Sequence, residues 1–117
     1  MMTRRASRVA EAIRREISMM LQQKEIKDPR IGFVTIVGVE VSNDLREVEV
    51  FVTHYGKKSD KNKSIDGLNS AASFIKGEIG RRLQLRLVPN IRFSYDDKIE
   101  KTMNVLKILD SFHSDEE

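Results

Sequence analysis

Cysteine and tryptophan are absent from these 117 residues, and proline and histidine occur only twice each. Without cysteine there is no disulfide, no thiolate zinc site and no thiol nucleophile. His54 and His113 lie 59 positions apart, a separation that offers no metal-ligand spacing. No apolar run approaches the ~18 residues of a membrane span, and Met1-Met2-Thr3-Arg4-Arg5 leads into no hydrophobic signal region. The expectation is a soluble, cytoplasmic protein with no membrane contact. Gly-x-Ser-x-Gly, a phosphate-binding loop and His-Glu-x-x-His are also missing. His54 reads as an ordinary strand-end residue, and Glu47 and Glu49 sit on an alternating strand face where solvation accounts for them. No enzyme, cofactor or metal is expected.

What is present is charge, unevenly spread. Residues 1–93 hold 18 Lys/Arg against 11 Asp/Glu, a net of +7, whereas residues 94–117 hold 3 against 7, a net of −4. Three basic groups stand out: Arg4, Arg5, Arg8, Arg14 and Arg15; Lys57, Lys58, Lys61 and Lys63; and Lys76, Arg81, Arg82, Arg86 and Arg92. Only Glu11 interrupts the first and only Glu78 the third. A solvated helix usually mixes signs, and guanidinium forks match phosphate oxygens, so the arginine groups point to a nucleic-acid backbone. An acidic protein partner would also suit such a face. Aromatic residues are scarce and several occupy core-like positions, which favours recognition of shape and backbone over base stacking.

Apolar periodicity organises the chain into one α+β domain. Val9, Ile13, Ile17 and Leu21 at i, i+4 spacing predict an amphipathic helix over 6–21, with Arg4, Arg8 and Arg15 within about 20° of one line opposite the stripe. Ile26-Lys27-Asp28-Pro29-Arg30 should end it, because a residue before proline avoids the α region. Phe33 to Val41 is apolar on both sides and ambiguous in facing, whereas Val48, Val50 and Val52 alternate cleanly; together they predict an antiparallel hairpin. Residues 56–64 read as a polar, lysine-rich loop. Ile65, Leu68, Ala72, Ile75, Ile79 and Leu83 predict one continuous helix, and Ile91, Phe93 and Tyr95 a third strand. The long helical crossover is compatible with a third strand parallel to the second in a three-stranded sheet. Asp97 and Glu100 begin a last helix carrying Ile99, Met103, Leu106 and Leu109, and residues 111–117 form an acidic tail that should fray. Gly77-Glu78-Ile79-Gly80 has the Gly-x-x-Gly spacing of a KH loop, but Ile79 keeps the apolar register and the glycines read as aids to close helix packing.

The chain resembles the ribosome-binding factor A family over roughly residues 3–110. The resemblance rests on Arg8-Val9 with Ile13 and Ile17, Asp28-Pro29-Arg30, Val39-Glu40-Val41-Ser42, Asp44-Leu45, and the valines 48, 50 and 52. Further along it rests on Leu68-Asn69-Ser70-Ala71-Ala72, Phe74-Ile75-Lys76, Leu83, Leu85-Arg86, Val88-Pro89, Ile91 and Phe93. It implies a type II KH-like domain over 1–110, of order α-β-β-α-kink-α-β with a C-terminal helix. In that family a helix-kink-helix with an Ala-x-Gly interruption replaces the Gly-x-x-Gly loop. The corresponding residues here are Ala71, Ala72 and Ser73, so serine stands in the glycine's place. A bend at Ser73 is expected to admit Phe74 to the core. The resemblance further implies a monomeric, non-catalytic factor that binds the free small ribosomal subunit and assists late 16S rRNA maturation at its 5′-terminal region, especially in the cold. An assembly GTPase is a candidate partner for its release. The residues expected to face RNA are Arg4, Arg5, Arg8, Arg15, Lys76, Arg81, Arg82 and Arg86.

Overall fold

In the computed structural model, which describes residues 2–54 and 58–96, the first helix is set at both ends by polar contacts. The Thr3 hydroxyl accepts from the Ala6 amide at 3.1 Å and caps α1 (Arg4–Gln22). The Thr3 amide donates to Asn43 Oδ1 at 3.1 Å, tying the helix start to a distant turn. Ala6, Ala10, Ile13, Ile17 and Met20 form its buried stripe. The helix ends seven residues before Pro29, so the proline is not its terminator. Lys24 takes φ 55°, its amide donates to the Leu21 carbonyl, and the Glu25 amide reaches back to Met20 at 2.9 Å. That pair of bonds is a Schellman closure, built here with lysine in the left-handed position.

β1 (Val34–Val41) and β2 (Glu47–His54) pair antiparallel, as the hairpin reading requires. The register runs Val41↔Val48 and Val39↔Val50, then shifts between Ile36 and Gly38 before resuming at Ile36↔Val52. This bulge resolves the ambiguous strand. One extra residue inverts the side-chain alternation, so Val39 and Val41 on one side of it and Val34 and Ile36 on the other all meet the core.

The segment expected as a lysine loop is helical from Lys58 onward: α2 spans Lys58–Ser70. Its inward contacts in the first turns are polar, so they leave no hydrophobic period. Lys61 Nζ lies 3.9 Å from the Tyr95 ring centroid, and the buried Ser64 hydroxyl accepts from the Gly32 amide at 2.9 Å while donating to the Arg30 carbonyl. Gly67 allows the loop to sit close, since a Cβ there would lie 2.9 Å from the Ile31 side chain.

The helical segment is interrupted, as the family pattern implies, but at Ala71 rather than Ser73. Ala71 separates α2 from α3 (Ala72–Arg82), and its amide is shared between the Gly67 and Leu68 carbonyls at 3.0 and 3.1 Å. Ser73 is an exposed residue inside α3. The bend does not bury Phe74, which stays 51% exposed.

β3 (Asn90–Tyr95) lies parallel to β2, with Val48↔Ile91 and Val50↔Phe93, giving the sheet order β1-β2-β3. The α2–α3 crossover packs on β3, α1 packs on β1, and α1 touches α3, so the helices share one sheet face. Between the layers lies a core of Val48, Val50, Val52, Phe93, Ile13, Ile17, Leu68, Ile75 and Ile79. The architecture is α+β, a type II KH-like domain. The expected helix over 97–110 and the tail 111–117 lie outside the described residues.

Candidate nucleic-acid interface

Burying the apolar stripe of α1 against the sheet forces its other side outward. Arg4, Arg5, Arg8 and Arg15 are exposed, and none has a carboxylate within ion-pair distance among the described residues. Arg14, one position away, differs because Glu11 pairs with it at 2.5 Å. The line of Arg4, Arg8 and Arg15 is thus a row of exposed guanidinium groups without ion pairs among the described residues, of which Arg15 lies in the field of Glu11. Arg86, on the segment between α3 and β3, is likewise exposed and without an ion pair among the described residues.

α3 sorts the remaining expected cations into different roles. Arg81 is 71% exposed and bonds to Glu78 on its own helix. Lys76 Nζ donates to Asn90 Oδ1 at 2.9 Å, and the Asn90 side-chain amide in turn donates to Glu47 at 3.1 Å. Arg82 is not a free cation. Its side chain is 25% exposed and its guanidinium reaches Glu25 at 3.0 Å, Glu78 at 3.1 Å and Glu16 at 3.6 Å. Glu25 raises the Arg82 pKa above its ordinary value, chiefly through the shared hydrogen bond. Glu25 arrives there because of the Schellman turn at Lys24, so Arg82 clasps α3 to α1 and to the loop that follows it. Arg81, and then Arg82, hold the Glu78 carboxyl below the usual range.

Two further residues have roles that their types and spacing do not announce. The Asn69 side-chain amide accepts from the Phe93 backbone amide at 2.9 Å and donates to the Phe93 carbonyl at 3.2 Å. It thereby satisfies the outward backbone groups of β3 as a neighbouring strand would. Its place in Leu68-Asn69-Ser70-Ala71-Ala72 is the only trace of it in the sequence. Asp28 accepts from the Arg30 amide at 2.9 Å and from its guanidinium at 2.8 and 3.1 Å, which lowers the carboxyl to about 2, the side-chain bond being the larger cause. Asp28-Pro29-Arg30 is therefore a self-bonded loop fastened by Ser64.

The two glycines of Gly77-Glu78-Ile79-Gly80 behave oppositely. A Cβ on Gly80 would meet Val88 Cγ2 at 2.6 Å, whereas one on Gly77 would meet nothing within 4 Å. Close packing therefore explains Gly80 alone, and α3 runs unbroken through both. His54 stands beside Gly32 at the end of β2, and among the described residues no group of three or more His, Asp or Glu side chains is placed to hold a metal. No helix among them is long and apolar enough to cross a membrane.

Fold and surface together define a KH-like domain with an arginine-lined helical face. A family model described as ribosome-binding factor A matches residues 5–109, and the chain belongs to that family. It is 42% identical over 113 residues to the ribosome-binding factor A of Desulfitobacterium hafniense strain DCB-2, covering 97% of this chain and 90% of that relative. The crystal structure of ribosome-binding factor A from Thermus thermophilus is similar with a TM-score of 0.65 at 21% identity, over 77% of this chain and 94% of the other. A homology model of the Thermus thermophilus factor, fitted into the cryo-EM map of its complex with the 30S subunit, is similar with a TM-score of 0.54 at 20% identity, over 71% and 90% of the two chains.

Proposed function

We propose that this protein is a non-catalytic assembly factor that binds the immature small ribosomal subunit and assists late 16S rRNA maturation, including processing of the 5′ end. The observation that carries the reading is the row of Arg4, Arg8 and Arg15 on one helix face, exposed and without an ion pair among the described residues. Such a row can follow phosphates at a spacing set by the helix rather than by flexible side-chain reach. Arg5, Arg86, Arg81 and Lys76 extend the RNA-facing surface, while Arg82 holds α3 in place behind it. Family membership and the 30S complex described for the Thermus relative support the same reading. The protein works in the cytoplasm as a monomer. It advances assembly by binding the immature RNA arrangement more tightly than the mature one, since equal affinity would shift nothing. Release follows maturation, with an assembly GTPase as the expected partner, and the demand is greatest in the cold, where misfolded RNA rearranges slowly.

The test is cosedimentation of the triple variant Arg4→Glu, Arg8→Glu, Arg15→Glu with small subunits, alongside the unaltered chain. The unaltered chain should follow free small subunits and not intact ribosomes. The variant should keep its fold, lose binding at physiological salt, and leave cells with 16S rRNA unprocessed at the 5′ end, most clearly at low temperature. Unchanged binding of the folded variant would remove this face from the interface.

A further inference from the structure

Phe74 is one of the large apolar side chains that the fold leaves exposed, and it is the aromatic one on α3. Scarcity of aromatics argues against base stacking, and a bend at Ser73 would have buried this ring. Instead α3 holds it 51% exposed while its neighbour Ile75 fills the core. An exposed phenylalanine is a poorer helix former than alanine or lysine, so helix propensity gives no reason for it. At about 100° per residue, Gly77 and Arg81 fall on the same outward side of α3 as Phe74. Gly77 has no side chain, and a Cβ placed there would meet nothing within 4 Å, so the space beside the ring is open. Arg81 follows about 10 Å further along the axis, 71% exposed. Glu78 on this side bonds both Arg81 and Arg82, and Arg82 is also engaged by Glu16 and Glu25, so Arg81 is the cation that this stretch presents outward.

We infer that Phe74 is a stacking platform for one unpaired nucleobase of the RNA bound by the basic helical face, with Arg81 meeting the adjoining phosphate. The inference rests on the proposed RNA-binding role and adds to it a site for single-stranded sequence. An apolar protein surface is the weaker match. Protein docking needs a contiguous apolar patch, whereas here one ring stands beside a glycine, with a cation about two turns further along the helix. A single planar group with a phosphate attached fits that combination, and stacking on an aromatic face tolerates any base.

The experiment measures affinity for small subunits carrying precursor 16S rRNA with Phe74→Ala, Phe74→Leu and Phe74→Trp, each checked for an unchanged melting temperature. Alanine and leucine should each weaken binding by roughly 5- to 100-fold, and tryptophan should retain it. The chain has no tryptophan, so the indole introduced by Phe74→Trp reports alone. Its emission should be quenched by single-stranded oligouridylate and not by an RNA duplex of equal length. Full affinity with leucine would assign the ring to an apolar protein contact and overturn the inference. Full affinity with alanine, or no quenching by the oligonucleotide, would overturn it as well while leaving the assembly role standing. Failure of the unaltered chain to bind the subunit would instead overturn both.

Discussion

Arg82 shows how misleading a residue type can be without its neighbours. In the sequence it is one of five cations in a group with a single acid, and it reads as a phosphate contact beside Arg81. In the fold it meets Glu16, Glu25 and Glu78, whereas Arg81 bonds only to Glu78 among the described residues. Charge deletion should therefore separate them. Arg82→Ala should lower the melting temperature clearly, because three carboxylates lose their common partner, and Arg81→Ala should leave it almost unchanged. Thermal unfolding by circular dichroism checks the ranking; equal effects would show that the clasp adds no stability. Asn69 offers a second test. Asn69→Ala strips two hydrogen bonds from Phe93 and should cost about 2 kcal/mol in urea denaturation.

Elements inherit their boundaries from such residues. Periodicity locates α1, the valine alternation of β2 and the apolar positions of β3, because each buries one regular side. It does not find the start of α2, whose first inward contacts come from Lys61 and Ser64. It also passes smoothly through Ala71, since a bend that shares one amide between two carbonyls leaves Leu68, Ile75 and Ile79 all inward. The two glycines of α3 turn this into a prediction of opposite signs. Gly77→Ala should raise stability by up to about 1 kcal/mol, the usual helical gain at an open position. Gly80→Ala should lower it, because the new Cβ would lie 2.6 Å from a Val88 methyl that has little rotameric freedom. The end of α1 supplies a further case. Lys24→Gly relieves a left-handed lysine at φ 55° and should stabilise the domain by up to about 1 kcal/mol, seen as a higher urea midpoint.

For the molecule as a whole, the described carboxylates with altered protonation shift in one direction. Asp28 is lowered to about 2, first by the Arg30 guanidinium and then by the Arg30 amide. Glu78 is lowered by Arg81, Glu11 by Arg14, Glu49 by Ser94 and Asp44 by Ser42. Depressed folded-state values mean that the unfolded chain takes up protons first as pH falls. Their contribution is complete above the ordinary carboxylate range near pH ~4 and is lost on going down toward pH ~2. Urea midpoints should therefore be flat from about pH 7 to 5 and fall below about pH 4, with Asp28→Asn reducing the slope. A midpoint that rose on acidification would contradict the assignment. The sequence alone determined the α+β class, the one-sided second and third strands, the basic body and the arginine row of α1. Those features follow from spacing along one element and from the preference of apolar groups for the interior. The inverted alternation across the β1 bulge, the capture of Arg82, the exposure of Phe74 and the pairing of Asn69 with Phe93 needed the assembled tertiary structure. Each depends on groups from separate elements, or on a backbone irregularity that shifts phase, and neither leaves a period in the order of residues.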